Sequence, residues 1–392
     1  MRPLEGITVV TLEHAIAAPF CTRQLADLGA RVIKVERPGV GDFARAYDGR
    51  VRGLASHFVW SNRSKESMTL DVKHAEAPAI LDRLLAKADV LVQNLAPGAA
   101  ARLGLSYEAL AGRYPRLVVC DISGYGADGP YRDKKAYDLL IQSESGFVSI
   151  TGSPDEPAKA GCSIADIAAG MYAYSNILAA LIERGRTGRG KGIDVSMLES
   201  MVEWMGYPLY YAFDGAEPPP RAGAAHATIY PYGPFPTGDS RTVMLGLQNE
   251  REWQVFCAKV LMQPGLATDP RFDSNARRTA AREELKRLIV AAFASLTAEE
   301  VVKRLDGAQI ANARVNTMAD VWQHPQLQAR RRWVDVPTPA GPVPALLPPG
   351  MPDAAHARME AVPALGQHTK ALLAELGYDA AAIARLEEEK AI

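Results

Sequence analysis

The strongest constraint on this chain is an alternation. Apolar, strand-like runs stand at residues 7–14 (ITVVTLEH), 31–37 (RVIKVER), 89–94 (DVLVQN) and 116–123 (RLVVCDIS). Helical patterns such as PFCTRQLADLGA and AEAPAILDRLLAKA separate them. Strands spaced by such helices form βαβ units, and right-handed crossovers turn those into a parallel, doubly wound sheet. The expected fold class is α/β. A dinucleotide dehydrogenase of this class needs a GxGxxG turn after the first strand, to hold a pyrophosphate at a helix N-terminus. The turn here reads EHAIAAPF, with no glycine, which argues against that function.

Further along, GIDVSM (192–197) reads as another strand, and residues 214–236 are rich in Pro, Gly and Ala, as in a linker. A second unit follows, with a strand at 241–248 and helices near 250–262, 276–294 and 297–305. A proline-rich stretch at 337–352 precedes an amphipathic helix around 368–376 and an acidic end, LEEEKAI, that reads as a solvated helix terminus. The expected division is a large domain over 1–205, a linker over 206–236, a small α+β domain over 237–325, and a return over 326–392 that completes the large domain.

Bulk properties exclude several classes. The chain is 48% apolar and 23% charged, with 44 basic and 45 acidic side chains, as in an ordinary globular protein. Nothing in that balance suggests a nucleic-acid partner. No apolar run reaches membrane-spanning length and the N-terminus is strand-like rather than signal-like, so a cytoplasmic protein with no membrane partner is expected. Cys21, Cys120, Cys162 and Cys257 are widely spaced and read as free thiols. The seven histidines show no HxxxH or HExxH spacing, so no metal site is expected. A serine hydrolase would need a GxSxG elbow, which is missing.

One carboxylate stands out. In GCSIADIAAGMYAYSNILAALIERGRTGRG (161–190), Ser163 reads as an N-cap and the helix runs to Arg184, with Gly185, Gly188 and Gly190 as its stop. Asp166 then lies in the first turn of a helix dominated by small and apolar residues. Ser163-x-x-Asp166 is a near-capping box, and capping alone accounts for an acid there. The same place suits a nucleophilic carboxylate, since the helix dipole and free N–H groups favour its ionised form.

Several stretches together resemble one family. They are PLEGITVVTLEHAIAAPFCTRQLADLGARVIKVERPGVGD, SKESMTLDVK, DVLVQNLAPGAAARLGL, ISGYGADGPYRDKKAYD, the helix around Asp166 and TGRGKGIDVSMLES, in order from residue 3 to 200. HPQLQARRRW and LGQHTKALLAELGY add a C-terminal match. The resemblance is to the class III coenzyme A transferases of the CaiB/BaiF type, the formyl-CoA and carnitine-CoA transferase group, with α-methylacyl-CoA racemase as a relative. It implies a Rossmann-like large domain that binds CoA, a smaller α+β domain and an interlocked homodimer. It also implies acyl-CoA and carboxylic-acid substrates, with no tightly bound cofactor.

By that resemblance Asp166 is the nucleophile, forming an aspartyl anhydride and then an enzyme–CoA thioester. Arg37, Leu70, Lys73, Asn94, Arg102 and Lys135 match CoA-contacting positions or loops. Tyr137 and Asp138 match a Tyr-acid pair at the active site, and His14 and Ile16 lie in the first strand-to-helix loop. Ile16 replaces a glutamine of the formyl-CoA enzyme, and that enzyme's Gly-rich closing loop is also missing, which argues against formyl or oxalyl chemistry. His226, Tyr230 and Tyr232 are candidates to touch the acyl group. Likeness in HFVWSNRSK, AYDLLIQSESG and AHATIYPYGPF is to members acting on C4 and C5 dicarboxylates. The expected donor is therefore succinyl-CoA and the acceptor itaconate, mesaconate, citramalate or malate. A second substrate carboxylate needs a cation, for which Arg52, Arg63 and Arg189 are candidates.

Two rivals remain. An acyl-CoA racemase needs a histidine where this chain has AYD. A non-catalytic CoA-binding protein would keep the fold without needing Asp166.

Overall fold

β1 (Thr8–Leu12), β2 (Arg31–Glu36), β3 (Lys65–Thr69), β4 (Val90–Gln93), β5 (Val118–Ser123) and β6 (Gly192–Ser196) form one parallel sheet in the order β3-β2-β1-β4-β5-β6. This is seen in a computed structural model, which describes residues 1–392. Order reverses between β1 and β4, so the crevice outside their carboxyl ends is where a doubly wound sheet accepts ligands. Five of the strands were expected. β3 was not, because its sequence KESMT shows no apolar run.

The sheet belongs to a unit made of residues 1–146, 160–206 and 325–392. On one face α1 (Ala17–Asp27) is seated; α2 (Ala77–Leu85) lies on the other. Val10, Leu12, Ile33, Leu91 and Val119 pack with α2 and with two C-terminal helices in one core. Between α2 and those two come α3 (Asp138–Glu144) and α4 (Ile164–Thr187); the last are α5 (Thr369–Glu375) and α6 (Ala380–Glu388).

Against expectation, α4 is long and apolar enough to cross a bilayer by length and composition. Its Ala165, Ala168, Ala169, Ala173 and Ile177 are buried inside the unit, as in a core helix. It runs to Thr187, three residues past Arg184, and stops at Gly188, left-handed at φ 72° and one of the three glycines expected there. Residues 147–159 and 207–324 form the other unit. There β7 (Tyr232–Pro236), β8 (Thr242–Gly246) and β9 (Ala311–Arg314) make an antiparallel sheet around a core that includes Phe235, Trp253, Phe272 and Phe293. Residues 232–236, read in sequence as the end of a linker, are thus strand.

Beneath the β1–β3 ends lies a fully buried cluster of charge. Glu13 Oε1 accepts from Lys65 Nζ at 2.7 Å, and Glu13 Oε2 accepts from the hydroxyls of Thr11 and Thr22. Lys34 Nζ donates to Asp42 Oδ2 at 2.7 Å and lies 3.4 Å from Glu13. Asn62 Oδ1 accepts from both lysines. Burial alone would raise the Glu13 carboxyl, but Lys65 and Lys34 hold it down to about 2. Burial pushes the Lys65 ammonium down to about 8 in spite of Glu13. These pairs let a strand as polar as KESMT sit inside: Lys65 is 3% exposed and Ser67, bonded to Glu36 at 2.6 Å, is 0% exposed.

Removing one partner of a buried pair strands the other charge. Glu13→Gln or Lys65→Met is expected to cost about 3–5 kcal/mol in urea unfolding. Because the folded Glu13 value lies below its ordinary 4.5, its contribution is whole above pH 4.5 and is lost as pH falls through about 2. A wild-type acid profile that Glu13→Gln leaves unflattened in this window would refute the assignment.

Candidate active site

The residues that reach the crevice come from the loop after β1, and three separate bonds fix that loop. The His14 N–H donates to Asn94 Oδ1 at 2.8 Å, and Asn94 Nδ2 returns a bond to the His14 carbonyl at 2.9 Å. This two-way clasp joins the ends of β1 and β4 across the switch point. Asp42 Oδ1 accepts from the Ala15 N–H at 3.1 Å, which steadies a non-glycine residue held left-handed at φ 61°. Ile16 precedes α1 and is buried, so its side chain serves packing.

Asp166 meets the same loop. The Ala17 N–H donates to its carboxylate, opposing two stronger influences. Burial, followed by the charge of Asp138, pushes Asp166 up from 3.8 to about 7. The sequence reading pointed the other way, toward a carboxylate favoured by free helix N–H groups. Those groups are taken. Asp138 Oδ1 accepts from the N–H of Ala165 at 2.8 Å and of Asp166 at 3.3 Å, and Gln142 holds its second oxygen at 2.6 Å. Ser163 occupies the N-cap position without a side-chain bond, so the cap of α4 comes from α3 rather than from the local sequence. Close approach of α1 and α4 rests on Gly170, where a Cβ would stand 2.7 Å from the Ala17 carbonyl oxygen.

Tyr47, which no sequence motif singled out, stands in the electrostatic reach of Asp166, Tyr137 and Asp42. Burial first, then those groups, raise its phenol, so it is a neutral hydrogen-bond donor. An aromatic row leads up to it. His14 stacks on Phe43 at 5.0 Å, Phe43 meets Tyr47, and Tyr47 meets His57 edge-on at 5.4 Å. Burial pushes the His14 imidazole down, which keeps it neutral.

On the other side of His14 a cavity of about 800 Å³ opens over β1, β2 and the segment after β3. It brings together His14, Arg37, Leu70 and Lys73 from the expected set, and adds Lys390 and Ile392. Ala17, whose N–H meets the Asp166 carboxylate, stands three positions along the chain from His14 on the cavity wall, roughly 10 Å at most.

Other candidates are elsewhere. Asn94 spends its side chain on the His14 backbone. Arg102 ends a short helix (Ala99–Arg102) and Lys135 is exposed on a loop; neither lines the cavity. Tyr137 precedes α3 and is 70% exposed, outside the cavity lining but within electrostatic reach of Tyr47. His226 belongs to the second unit, where its Nδ1 accepts from the N–H groups of Thr228 and Ile229 and its ring stacks on Tyr232. Of the three arginines, Arg63 is buried in a two-point bond to Asp27. Arg189 lies beyond the far end of α4, roughly 30 Å from Asp166 by helix length. Arg52 is exposed, five residues past Tyr47. Among the cysteines only Cys162 is exposed.

The model of the family described as CoA-transferase family III matches residues 4–369. The Mus musculus succinyl-CoA:glutarate CoA-transferase is 34% identical, the match covering 98% of this chain and 89% of that protein. The succinyl-CoA:mesaconate CoA-transferase of Haloarcula hispanica is 33% identical over 86% of this chain and 87% of its own. Among solved structures, a CAIB/BAIF family protein from Brucella suis superimposes with a TM-score of 0.83 at 34% identity, covering 96% of this chain and 99% of that one. The parallel six-stranded sheet with a small antiparallel sheet is thus the fold of that family.

A carboxyl whose folded value lies above its ordinary one costs the fold stability as it ionises. Wild-type stability is therefore expected to fall relative to Asp166→Asn as pH rises from about 4 to about 7, and to run parallel above that. Thermal melts at pH 5 and pH 8 check this. A Tm difference that does not change between them would contradict the raised value.

Proposed function

The chain belongs to CoA-transferase family III, and from that premise we propose that it moves CoA from succinyl-CoA to a C4 or C5 dicarboxylic acid, with Asp166 as nucleophile. One observation carries the residue assignment. Asp166 is a shielded carboxyl raised to about 7 that accepts the Ala17 N–H, three positions along the chain from His14, which lines a cavity with Arg37 and Lys73. Near neutrality much of it is ionised, and a poorly solvated carboxylate is a better nucleophile than a hydrated one.

In the proposed sequence Asp166 attacks the thioester carbonyl, the C–S bond breaks, and CoA leaves as thiolate from a mixed anhydride. The thiolate attacks the aspartyl carbonyl, giving an Asp166–CoA thioester and the free succinate carboxylate. The acceptor carboxylate then displaces CoA to form a second anhydride. Thiolate attack on the acceptor's carbonyl releases the new acyl-CoA and restores Asp166. No electron or net proton is exchanged, so no further reagent is needed. The Ala17 N–H and the Tyr47 hydroxyl are suited to stabilise the oxyanions formed at the aspartyl carbonyl.

The acceptor class follows from relatives whose names specify glutarate and mesaconate. Itaconate, citramalate and malate share that chemistry. Arg52 is the cation we assign to the acceptor's second carboxylate, since Arg63 is spent on Asp27. The protein is proposed to work as a cytoplasmic homodimer.

Mass spectrometry of CoA thioesters formed from succinyl-CoA and a panel of dicarboxylates tests the reading. Asp166→Ala is expected to lower kcat by more than about 10³-fold while CoA still binds. Wild-type kcat/KM is expected to fall as pH drops through about 7, as the nucleophile becomes protonated. Transfer by the alanine variant would end the aspartyl mechanism.

A further inference from the structure

The acidic end of the chain reads in sequence as a solvated helix terminus, and its Glu387–Lys390 are exposed, but the residues on either side of them are not. In α6, Leu386 is fully buried, and Ala391 beyond it is also 0% exposed. The Ala391 N–H donates to the Leu386 carbonyl at 2.9 Å and the Lys390 N–H to the Glu387 carbonyl at 3.0 Å. That pair of bonds is the Schellman ending of a helix, whose turning residue adopts the left-handed conformation and is usually glycine. Here it is Lys390, at φ 58°. A lysine bears a Cβ penalty at this position that glycine avoids.

What the side chain gains is a place. Ala391 is tied to the segment after β3 by the Asp71 N–H, which donates to its carbonyl at 2.7 Å. Ile392 packs against the sheet core. This fixes Lys390 on the wall of the 800 Å³ cavity, alongside Arg37 and Lys73. Nearby acids are engaged elsewhere: Glu387 pairs with Lys370 at 2.8 Å, and Glu389 with His74 and Arg385. Arg37, Lys73 and Lys390 take part in none of the ion pairs found in the chain. Asp71 and Glu387 also line the cavity, Glu387 being paired with Lys370, so the three unpaired cations outnumber the acids there and suit a phosphate-bearing ligand.

We propose that Lys390, held at the rim by a left-handed helix ending, binds a phosphate of the coenzyme's nucleotide portion together with Arg37 and Lys73. This rests on the CoA-transferase reading and adds to it a residue from the far end of the chain.

The test is binding by calorimetry with the full-length protein, using CoA, dephospho-CoA and 3′,5′-ADP against wild type, Lys390→Gly and Lys390→Gln. Lys390→Gly is expected to raise Tm, by relieving the backbone, while weakening CoA binding roughly 10-fold, the effect of one charged hydrogen bond. Lys390→Gln should weaken binding similarly without the gain in Tm. If the penalty vanishes with dephospho-CoA, the 3′-phosphate is the group held; if it persists, the diphosphate is. Both results support the proposal. Wild-type affinity for CoA in both variants would overturn it and leave the transferase reading standing. No binding of CoA by the wild type would overturn both.

Discussion

The site depends on the buried contact between Glu13 and Lys65. Two charges inside a protein are costly unless every lone pair and proton finds a partner, and here they do. Glu13 takes four contacts, from Lys65, Lys34, Thr11 and Thr22. Lys34 carries the network on to Asp42, whose other oxygen holds the Ala15 N–H. Few arrangements of the loop satisfy all these groups at once. That is why Ala15 can sit at a positive φ and why Ala17 presents its N–H to Asp166. The cluster contributes specificity of position more than net stability.

A second consequence concerns the two aspartates at the start of α4. A helix N-terminus offers a limited number of free donors, and Asp138 takes those at Ala165 and Asp166. Asp166 is left with one backbone donor, partial burial and a like charge nearby. Burial first, and then the charge of Asp138, raise its value, and the helix donors that could have opposed them are taken. A helix start that would stabilise one carboxylate instead sets a second one near neutrality, where a nucleophile is useful.

Sequence reasoning went furthest where a residue's role is local. Five strands of the parallel sheet, the extent of α4 to within a turn, and the Asp166 position follow from periodicity and end signals. β3 stayed hidden because KESMT, an edge strand, is buried only where Lys65 meets Glu13 beyond the end of β1 and Ser67 meets Glu36 of β2. Tyr47 stayed hidden for a similar reason: a tyrosine in ARAYDGR carries no spacing signal, and only the fold brings it within electrostatic reach of Asp166. Ser163 misled because a serine before a helix is a good cap in isolation, and nothing local reveals that Asp138 takes its place.

The sequence by itself determined the α/β class, the absence of a dinucleotide turn and, with the family likeness, the chemistry. These depend on short-range pattern and residue type. Tertiary structure decided the direction of the Asp166 shift, the use of Asn94 as a clasp between strands, and the arrival of Lys390 beside Arg37. Each of these is a meeting of residues tens to hundreds of positions apart. Charge, burial and hydrogen bonding at such a meeting are properties of the assembled site, so no reading of either segment alone contains them.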